Sequence, residues 1–337
     1  MSCLLSICIP AYNRVFELRR LLDSVDANNP SDIEIVLRED HSPKREEIRK
    51  TVIAYEKNSN YKIRYIENDE NFGYDKNIRS LGESATGKWV MFMGDDDIFV
   101  PGSLDKFLLF LRDYQQLGYV LRRYQAENKN GVIEEYRYSN KNEFFNPGEK
   151  AVVEFFRRSL FISGFTYRKD CFQDYKCNDF DGTLLFQLYI QATICLHYQS
   201  AYCDIPITKS IEGGVPFFGQ AESEKNLYES GANTFNNSIN FLKQVRIVTE
   251  IFDKKNSTQI TQSIMKSYAR YSYGYLFEHR EEGIKVFRAY AKEIKKIGLG
   301  DSTYFYIYYY GLLILGKKRC QCLIRNMKRI IGHTPRL

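Results

Sequence analysis

NFGYDKNIRSLGESATGKWVMFMGDDDIFVPGSL, residues 71–104, joins a turn, a helix, a strand and three adjacent carboxylates. Asn71-Phe72-Gly73 is a turn that opens a helix over 74–85. KWVMFM, residues 88–93, is a short continuous apolar run, the pattern of a strand buried on both faces. It ends in Gly94-Asp95-Asp96-Asp97. Two unit charges about 4 Å apart repel by roughly 1 kcal/mol in bulk water and about 4 kcal/mol near a protein surface. A third carboxylate adds to this. Two readings stand: a solvated acidic turn, or a site whose gap a cation fills.

The sequence on the N-terminal side repeats the pattern. LLSICI, residues 4–9, is an apolar run followed by the loop PAYNR. Over 15–25, Phe16, Leu18, Leu21, Leu22 and Val25 form an apolar stripe that predicts a helix. DIEIVLRED, residues 32–40, is a second strand, closing on Glu39, Asp40, His41 and Ser42. A charged helix is expected over 44–57 and a third strand at KIRYIEN, 62–68. Strand and helix alternate four times in this first part of the chain, as in an open parallel sheet with right-handed crossovers. Ligands bind such sheets beyond the carboxyl ends of the strands. The polar clusters fall at those ends: Pro10 to Arg14, Glu39 to Ser42, Asn71 to Gly73, and the three aspartates. That placement favours a site over a set of solvated turns.

Beyond residue 104 the pattern predicts a helix, then a hairpin turning at Asn130-Gly131. DFDGTLLFQLYIQATICLHY, 179–198, reads as a helix N-capped by Asp181. Residues 209–224 read as a loop that could fold over a ligand. From about 225 the chain is mostly helical, without proline until Pro335. The expected fold class is α/β: a Rossmann-like, mostly parallel sheet flanked by helices. The expected domains are this α/β domain over 1–224 and a helical extension over 225–337.

Lys and Arg total 48 against 42 Asp and Glu, a net charge of +6. The excess lies at the end: Lys317, Lys318, Arg319, Arg325, Lys328, Arg329 and Arg336 follow Asp301 with no acidic residue among them. A neutral body with a basic tail points to an anionic partner for the tail alone, and not to nucleic acid. The tail also carries YFYIYYYGLLIL. It reads either as a helix lying in an anionic membrane interface or as a helix packed on the body with a solvated basic end. Eight cysteines without a C-x-x-C pair read as reduced thiols of a cytoplasmic protein. No run of 18 apolar residues is present, so no membrane-spanning helix is expected.

IPAYNR after the first strand, the acidic pair after the second, and NFGYDKNIRSLGESATGKWVMFMGDDD with PGSL behind it resemble family 2 glycosyltransferases of the GT-A fold. The resemblance covers roughly residues 4–205. It implies a nucleotide-sugar donor held at the strand ends by Mn²⁺ or Mg²⁺, since carboxylate and water ligands suit hard divalent cations. It implies Asp95 on the ribose side and Asp96 and Asp97 facing the metal, with Glu39 and Asp40 reading the base. Pro10, Tyr12, Arg14, Asn71, Gly73 and Asn77 would line the nucleotide. Gly94 stands where many relatives have Asp, Glu39 where Asp is usual, and His41 where Gly is usual. A base must take the acceptor's proton; the resemblance offers Asp181 first and Asp179 second.

The function implied is transfer of a sugar from a nucleotide-sugar to a hydroxyl of a glycan or lipid-linked acceptor. It would be inverting and metal-dependent, and would build a surface polysaccharide such as capsule or O-antigen. Attachment would be peripheral, on the inner face of the plasma membrane. The alternatives are a non-catalytic nucleotide-sugar-binding component of a glycan-assembly complex and a sugar nucleotidyltransferase. PAYNR is not the glycine-rich, basic triphosphate loop that the last would need.

Overall fold

In the computed structural model of the chain, residues 3–214, 216–231 and 234–331 are described, with side chains as far as 323. The chain divides into two compact units, residues 1–226 and 227–337.

The first unit opens with β1 (Leu5–Ala11), α1 (Val15–Asp23), β2 (Ile33–Glu39), α2 (Arg45–Glu56), β3 (Lys62–Glu67), α3 (Gly73–Ser84) and β4 (Trp89–Phe92). It continues with β5 (Ile98–Phe99), α4 (Ser103–Asp113), β6 (Tyr119–Glu127), β7 (Ile133–Tyr136), β8 (Glu143–Phe145) and α5 (Glu149–Phe156). It closes with β9 (Phe165–Arg168), α6 (Phe186–His197) and β10 (Ser200–Ile211). Among the described residues these strands form one sheet in the order β3-β2-β1-β4-β9-β6-β10-β5, with β7 on β6 and β8 on β10.

The first four strands are parallel and in phase. β1 pairs with β2 from Leu5↔Ile33 to Ala11↔Glu39, and with β4 from Leu5↔Trp89 to Cys8↔Phe92. Their carboxyl ends therefore share one edge. β3, at the sheet edge, is half-buried. Both faces of β1, β2 and β4 are buried: Ile7, Ile9, Ile35, Leu37 and Met91 on one side, Cys8, Val36, Val90 and Phe92 on the other. That is why they read as unbroken apolar runs. Beyond β4 the sheet changes character. β9 runs antiparallel to both β4 and β6, while β6 and β10 are parallel. The β6–β7 hairpin turns at Asn128–Gly131, as its Asn-Gly signal predicts.

Two local expectations fail. Phe16, placed on the apolar stripe of α1, is 84% exposed. Leu18, Leu21 and Leu22 face the core, and at 100° per residue a position two before Leu18 points the opposite way. The helix expected from 179 starts only at Phe186, and Asp181 is not its cap. Gly182 and Leu184 both have positive φ (86° and 65°), which no continuing α-helix allows. The N–H groups at the true start, those of Leu184 and Phe186, donate to the carboxylate of Asp75 at 2.8 Å each.

The second unit is helical: α7 (Phe235–Asn256), α8 (Ile260–Arg270), α9 (Tyr273–Glu281), α10 (Ile284–Lys296) and α11 (Thr303–Ile331). Thr234 caps α7 by accepting the N–H of Asn237, and the Asp253 carboxylate accepts those of Ile260 and Thr261 at the start of α8. Phe252, Ile264, Tyr268, Phe287, Tyr290, Phe305 and Leu312 are buried. α11 bends at Gly316, whose φ of 71° and ψ of 173° are not helical.

Candidate active site

The acidic turn sits at the carboxyl end of β4, beside the end of β1. Asp95 is buried and turned toward β1: it accepts the Tyr12 N–H at 3.0 Å and Arg14 Nη1 at 2.7 Å. Arg14 also reaches Asp96 Oδ2 at 3.1 Å. Asp97 is buried on the other side, where its Oδ2 accepts the Ser163 hydroxyl at 2.5 Å. Burial pushes the Asp95 carboxyl up to about 6 against the pull of Arg14, and pushes Asp97 up to about 7, with the Asp96 charge adding to it. Asp96 is the more exposed of the three.

A cation fits this turn. Asp96 Oδ1 and Asp97 Oδ2 lie 3.2 and 3.1 Å from the point a Cβ at Gly94 would occupy, so the missing side chain leaves a cradle where two carboxylates converge. An Asp at Gly94 would crowd it. Among the described residues no three His, Cys, Asp or Glu side chains converge as a closed metal site. Mg²⁺-type ions keep several waters and take substrate phosphates beside one or two carboxylates, which is what this turn can supply.

The base-side cluster is knitted to the start of α3. Asp40 Oδ1 accepts Asn68 Nδ2 (2.7 Å) and the Phe72 N–H (2.8 Å), and Oδ2 accepts the Gly73 N–H (3.0 Å). Burial still pushes Asp40 up to about 6. Asn68 Nδ2 also meets Asn77 Oδ1 at 3.1 Å. Glu39, fully buried, turns inward and accepts the N–H groups of His41 and Ser42 at 3.0 and 2.7 Å. His41 has φ 55°, the left-handed region that explains why Gly suits this position and costs another residue about 1–2 kcal/mol. Asn71 Oδ1 accepts the Gly73 N–H at 2.9 Å, and its Nδ2 lies 3.5 Å from the Tyr12 hydroxyl. Gly73 has φ 73°, and a Cβ there would meet Glu224 Oε1 and Ala221 Cβ at 2.7 Å. Pro10 lies next to the end of β1, in register with Arg38.

Asp181 and Asp179 follow α3 from outside. Arg79 grips Asp181 with Nη1–Oδ1 at 2.7 Å and Nη2–Oδ2 at 2.9 Å, and also donates to the Cys177 carbonyl. A bidentate guanidinium fixes the plane of a carboxylate and leaves its outer lone pairs available. Asp179 is exposed, with the Cys177 thiol 3.5 Å from its Oδ2. The structure thus orients Asp181 and leaves Asp179 at the surface.

Of residues 209–224, expected as a loop, the first three belong to β10, and the residues of the rest that matter were not singled out in the sequence. Glu224, buried, accepts the N–H groups of Tyr74 and Gly219 at 2.7 Å each. The Tyr12 hydroxyl donates to Gln220 Oε1 at 2.6 Å, and Phe217 lies 5.6 Å from the Tyr12 ring and 5.1 Å from the Arg14 guanidinium. This segment therefore lies on the strand ends. Asp75 and Arg79, four apart on α3, share a helix face, a signal that could have been read; Glu224 carries none.

The family described as glycosyl transferase family 2 matches residues 6–175. The chain belongs to that family. Its fold also agrees. The crystal structure of S. aureus TarS 1-349 superposes with a TM-score of 0.52 at 12% identity, covering 91% of this chain and 92% of that one. The same protein in complex with UDP-GlcNAc gives 0.51 at 13% identity, covering 91% of each. At such identity the likeness shows the fold alone, the GT-A fold. Family relatives include an uncharacterized glycosyltransferase of Haemophilus influenzae, 26% identical over 127 residues, which are 38% of this chain and 41% of that one. The abequosyltransferase RfbV of Salmonella typhimurium is 29% identical over 101 residues, 30% of each chain. GalNAc(5)-diNAcBac-PP-undecaprenol beta-1,3-glucosyltransferase of Campylobacter jejuni is 27% identical over 106 residues, 31% of this chain and 33% of that one. The match spans less than half the length of each of these relatives.

Asp75 gives the site a pH signature. Burial pushes its carboxyl up to about 7 from an ordinary 3.8, despite its two N–H donors. Between those values the folded chain binds more protons than the unfolded one. Its contribution to stability is therefore complete below 3.8 and is lost as pH rises through about 7. Asp75→Asn cannot ionise. Its urea midpoint should fall less over that interval than the wild type's, and superimposable profiles would show that Asp75 titrates normally.

Proposed function

We propose that the chain is an inverting, metal-dependent glycosyltransferase acting on a nucleotide-sugar donor and a hydroxyl of a glycan or lipid-linked acceptor. The observation that carries the reading is the acidic turn: Asp95 tied to β1, and Asp96 and Asp97 converging over Gly94 at the shared edge of the parallel strands. Asp95 would meet the ribose, Asp96 and Asp97 the metal. Mn²⁺ or Mg²⁺ bound there supplies charge neutralisation for the departing diphosphate. Asp40, Tyr12 and Asn71 line the base side, with Pro10, Glu39, Gly73 and Asn77 shaping the turns behind them. Arg14 stands between β1 and the acidic turn, placed to meet phosphate. Asp181 takes the acceptor's proton as its oxygen bonds to the anomeric carbon and the bond to the diphosphate breaks. A single displacement of this kind inverts the anomeric centre. Residues 1–224 would do this work and 225–337 would form an extension.

The relatives named for abequosyl and undecaprenol-linked glucosyl transfer support a role in glycan assembly; we extend it to a surface polysaccharide of the capsule or O-antigen kind, made from a cytoplasmic position. Peripheral attachment to an anionic inner leaflet is supported by α11. Tyr304, Ile307, Tyr310 and Ile314 recur at helical spacing on it and are exposed, Ile307 at 60% and Ile314 at 75%. Lys318 and Arg319 are exposed beyond them. Lys317 pairs with Glu281 and sits 4.4 Å from the Phe277 ring centroid, so it serves the helical unit instead. The side chains of Arg325, Lys328 and Arg329, and all of Arg336, lie outside the described residues. Among the described residues no helix is long and apolar enough to cross a membrane.

Thermal unfolding with UDP, CDP, GDP and dTDP tests the core of this reading. One nucleotide should raise the transition temperature in Mn²⁺ and lose that effect in EDTA, because specific binding stabilises the folded state. Equal stabilisation in chelator would remove the metal. Asp181→Asn should cut turnover by about 10²-fold or more with donor binding kept. Wild-type turnover in that variant, with loss in Asp179→Asn, would move the base to Asp179. Each cation near an anionic surface contributes about 1 kcal/mol. The full chain should therefore sediment with anionic liposomes at low salt and be released at high salt. Replacing Ile307, Tyr310 and Ile314 together by Ser should keep it in the supernatant, and sedimentation equal to wild type would reduce α11 to ordinary packing.

A further inference from the structure

The buried side of the acidic turn is held by groups that the reading above leaves unused. Ser163 lies in a short 3-10 turn just before β9 and is fully buried. Its hydroxyl accepts the Gly94 N–H at 2.8 Å and donates to Asp97 Oδ2 at 2.5 Å. One hydroxyl thus joins the first and last residues of the turn. Its own backbone is locked from behind. The Ser163 carbonyl accepts Arg122 Nη2 at 2.8 Å and the Thr208 hydroxyl at 2.9 Å. Arg122, 1% exposed on β6, gives the same nitrogen to the Phe165 carbonyl at 3.0 Å.

A guanidinium out of water is costly unless its donors are met. Nη1 and Nη2 of Arg122 go to Thr208, to Met91 sulfur and to two carbonyls of the 163–165 turn, not to a carboxylate, and its buried Nε has no partner. No hydrogen-bonded carboxylate keeps Arg122 inside, although the Asp97 charge acts on it. What Arg122 does is fix the backbone that carries Ser163. Thr208, on β10, fixes the same carbonyl from the neighbouring strand, with which β6 is paired in parallel. Two strands, one turn and the Ser163 hydroxyl converge on the Asp97 carboxylate, which the Ser210 side chain also meets.

We propose that Ser163 is a positioning residue for Asp97: with its turn locked by Arg122 and Thr208, its hydroxyl sets the plane in which the carboxylate meets the cation. The inference rests on Asp97 being a metal-side carboxylate. A carboxylate that ligates a metal needs its orientation held by a second hydrogen bond, and losing such a partner typically weakens metal binding about 10–100-fold.

The test measures free Mn²⁺ by electron paramagnetic resonance in titrations of the full chain, with UDP, CDP, GDP or dTDP present. Wild type, Asp97→Asn, Ser163→Ala and Thr208→Val are compared. Ser163→Ala should raise the Mn²⁺ dissociation constant about ten-fold, and Thr208→Val should shift it the same way by less. Nucleotide affinity measured in EDTA should be unchanged in both, which a merely structural loss would not leave intact. Wild-type Mn²⁺ affinity in Ser163→Ala beside its loss in Asp97→Asn overturns the positioning role and leaves the metal reading standing. Mn²⁺ binding unaffected by Asp97→Asn, or absent from wild type with every nucleotide, overturns the metal reading and the inference with it. Should Ser163→Ala not fold, Thr208→Val decides: unchanged Mn²⁺ affinity there overturns the proposal.

Discussion

Carboxylates taken out of water at the strand ends have to be met by donors, and this need shapes everything at that edge of the sheet. An ionised carboxylate without partners cannot be buried at tolerable cost. Glu39 takes two N–H groups of its own turn, and Asp40 takes those of Phe72 and Gly73. Asp95 takes that of Tyr12, and Glu224 those of Tyr74 and Gly219. Each bond but the Glu39 pair and that from Gly219 to Glu224 crosses between segments far apart in sequence. The start of α3 is where they meet: its unpaired N–H groups and the positive end of its dipole attract Asp40 from one side and Glu224 from the other. Strands and helices supply a frame, and carboxylates fasten the loops to it. The elevated titration of Asp40, Asp95 and Asp97 shows that the donors offset burial only in part.

How much of this was legible follows from the range over which sequence patterns carry information. The strands at the centre of the parallel part were visible because burial on both faces leaves an apolar run, as in Leu5 to Ile9 or Trp89 to Phe92, and the half-buried β3 because apolar Ile63 and Tyr65 alternate with Lys62 and Arg64. The site edge was visible because polar clusters terminate each of those runs. β9 was not visible: four residues, FTYR, carry too little pattern to announce an antiparallel strand lodged between β4 and β6.

Residue type misled where local and distant partners compete. Asp181 has the chemistry of an N-cap, yet the backbone at Gly182 and Leu184 turns away from helix and Arg79 claims the carboxylate. The cap that α6 does have, Asp75, lies more than a hundred positions earlier. Ser163 and Glu224 belong to the same class. An ordinary serine and an ordinary loop glutamate acquire their roles only through segments that the fold brings to them.

Arg14 bears on the kinetics of encounter. It spans Asp95 and Asp96 at 2.7 and 3.1 Å, so the resting turn already contains an internal cation. A diphosphate arriving with its dication would exchange partners with that guanidinium, not add charge to an empty acidic bowl. The field the turn projects into solvent is correspondingly short-ranged, and long-range attraction would do little to speed the first contact. Capture would then depend on local rearrangement around a single side chain that is held on one face by Phe217.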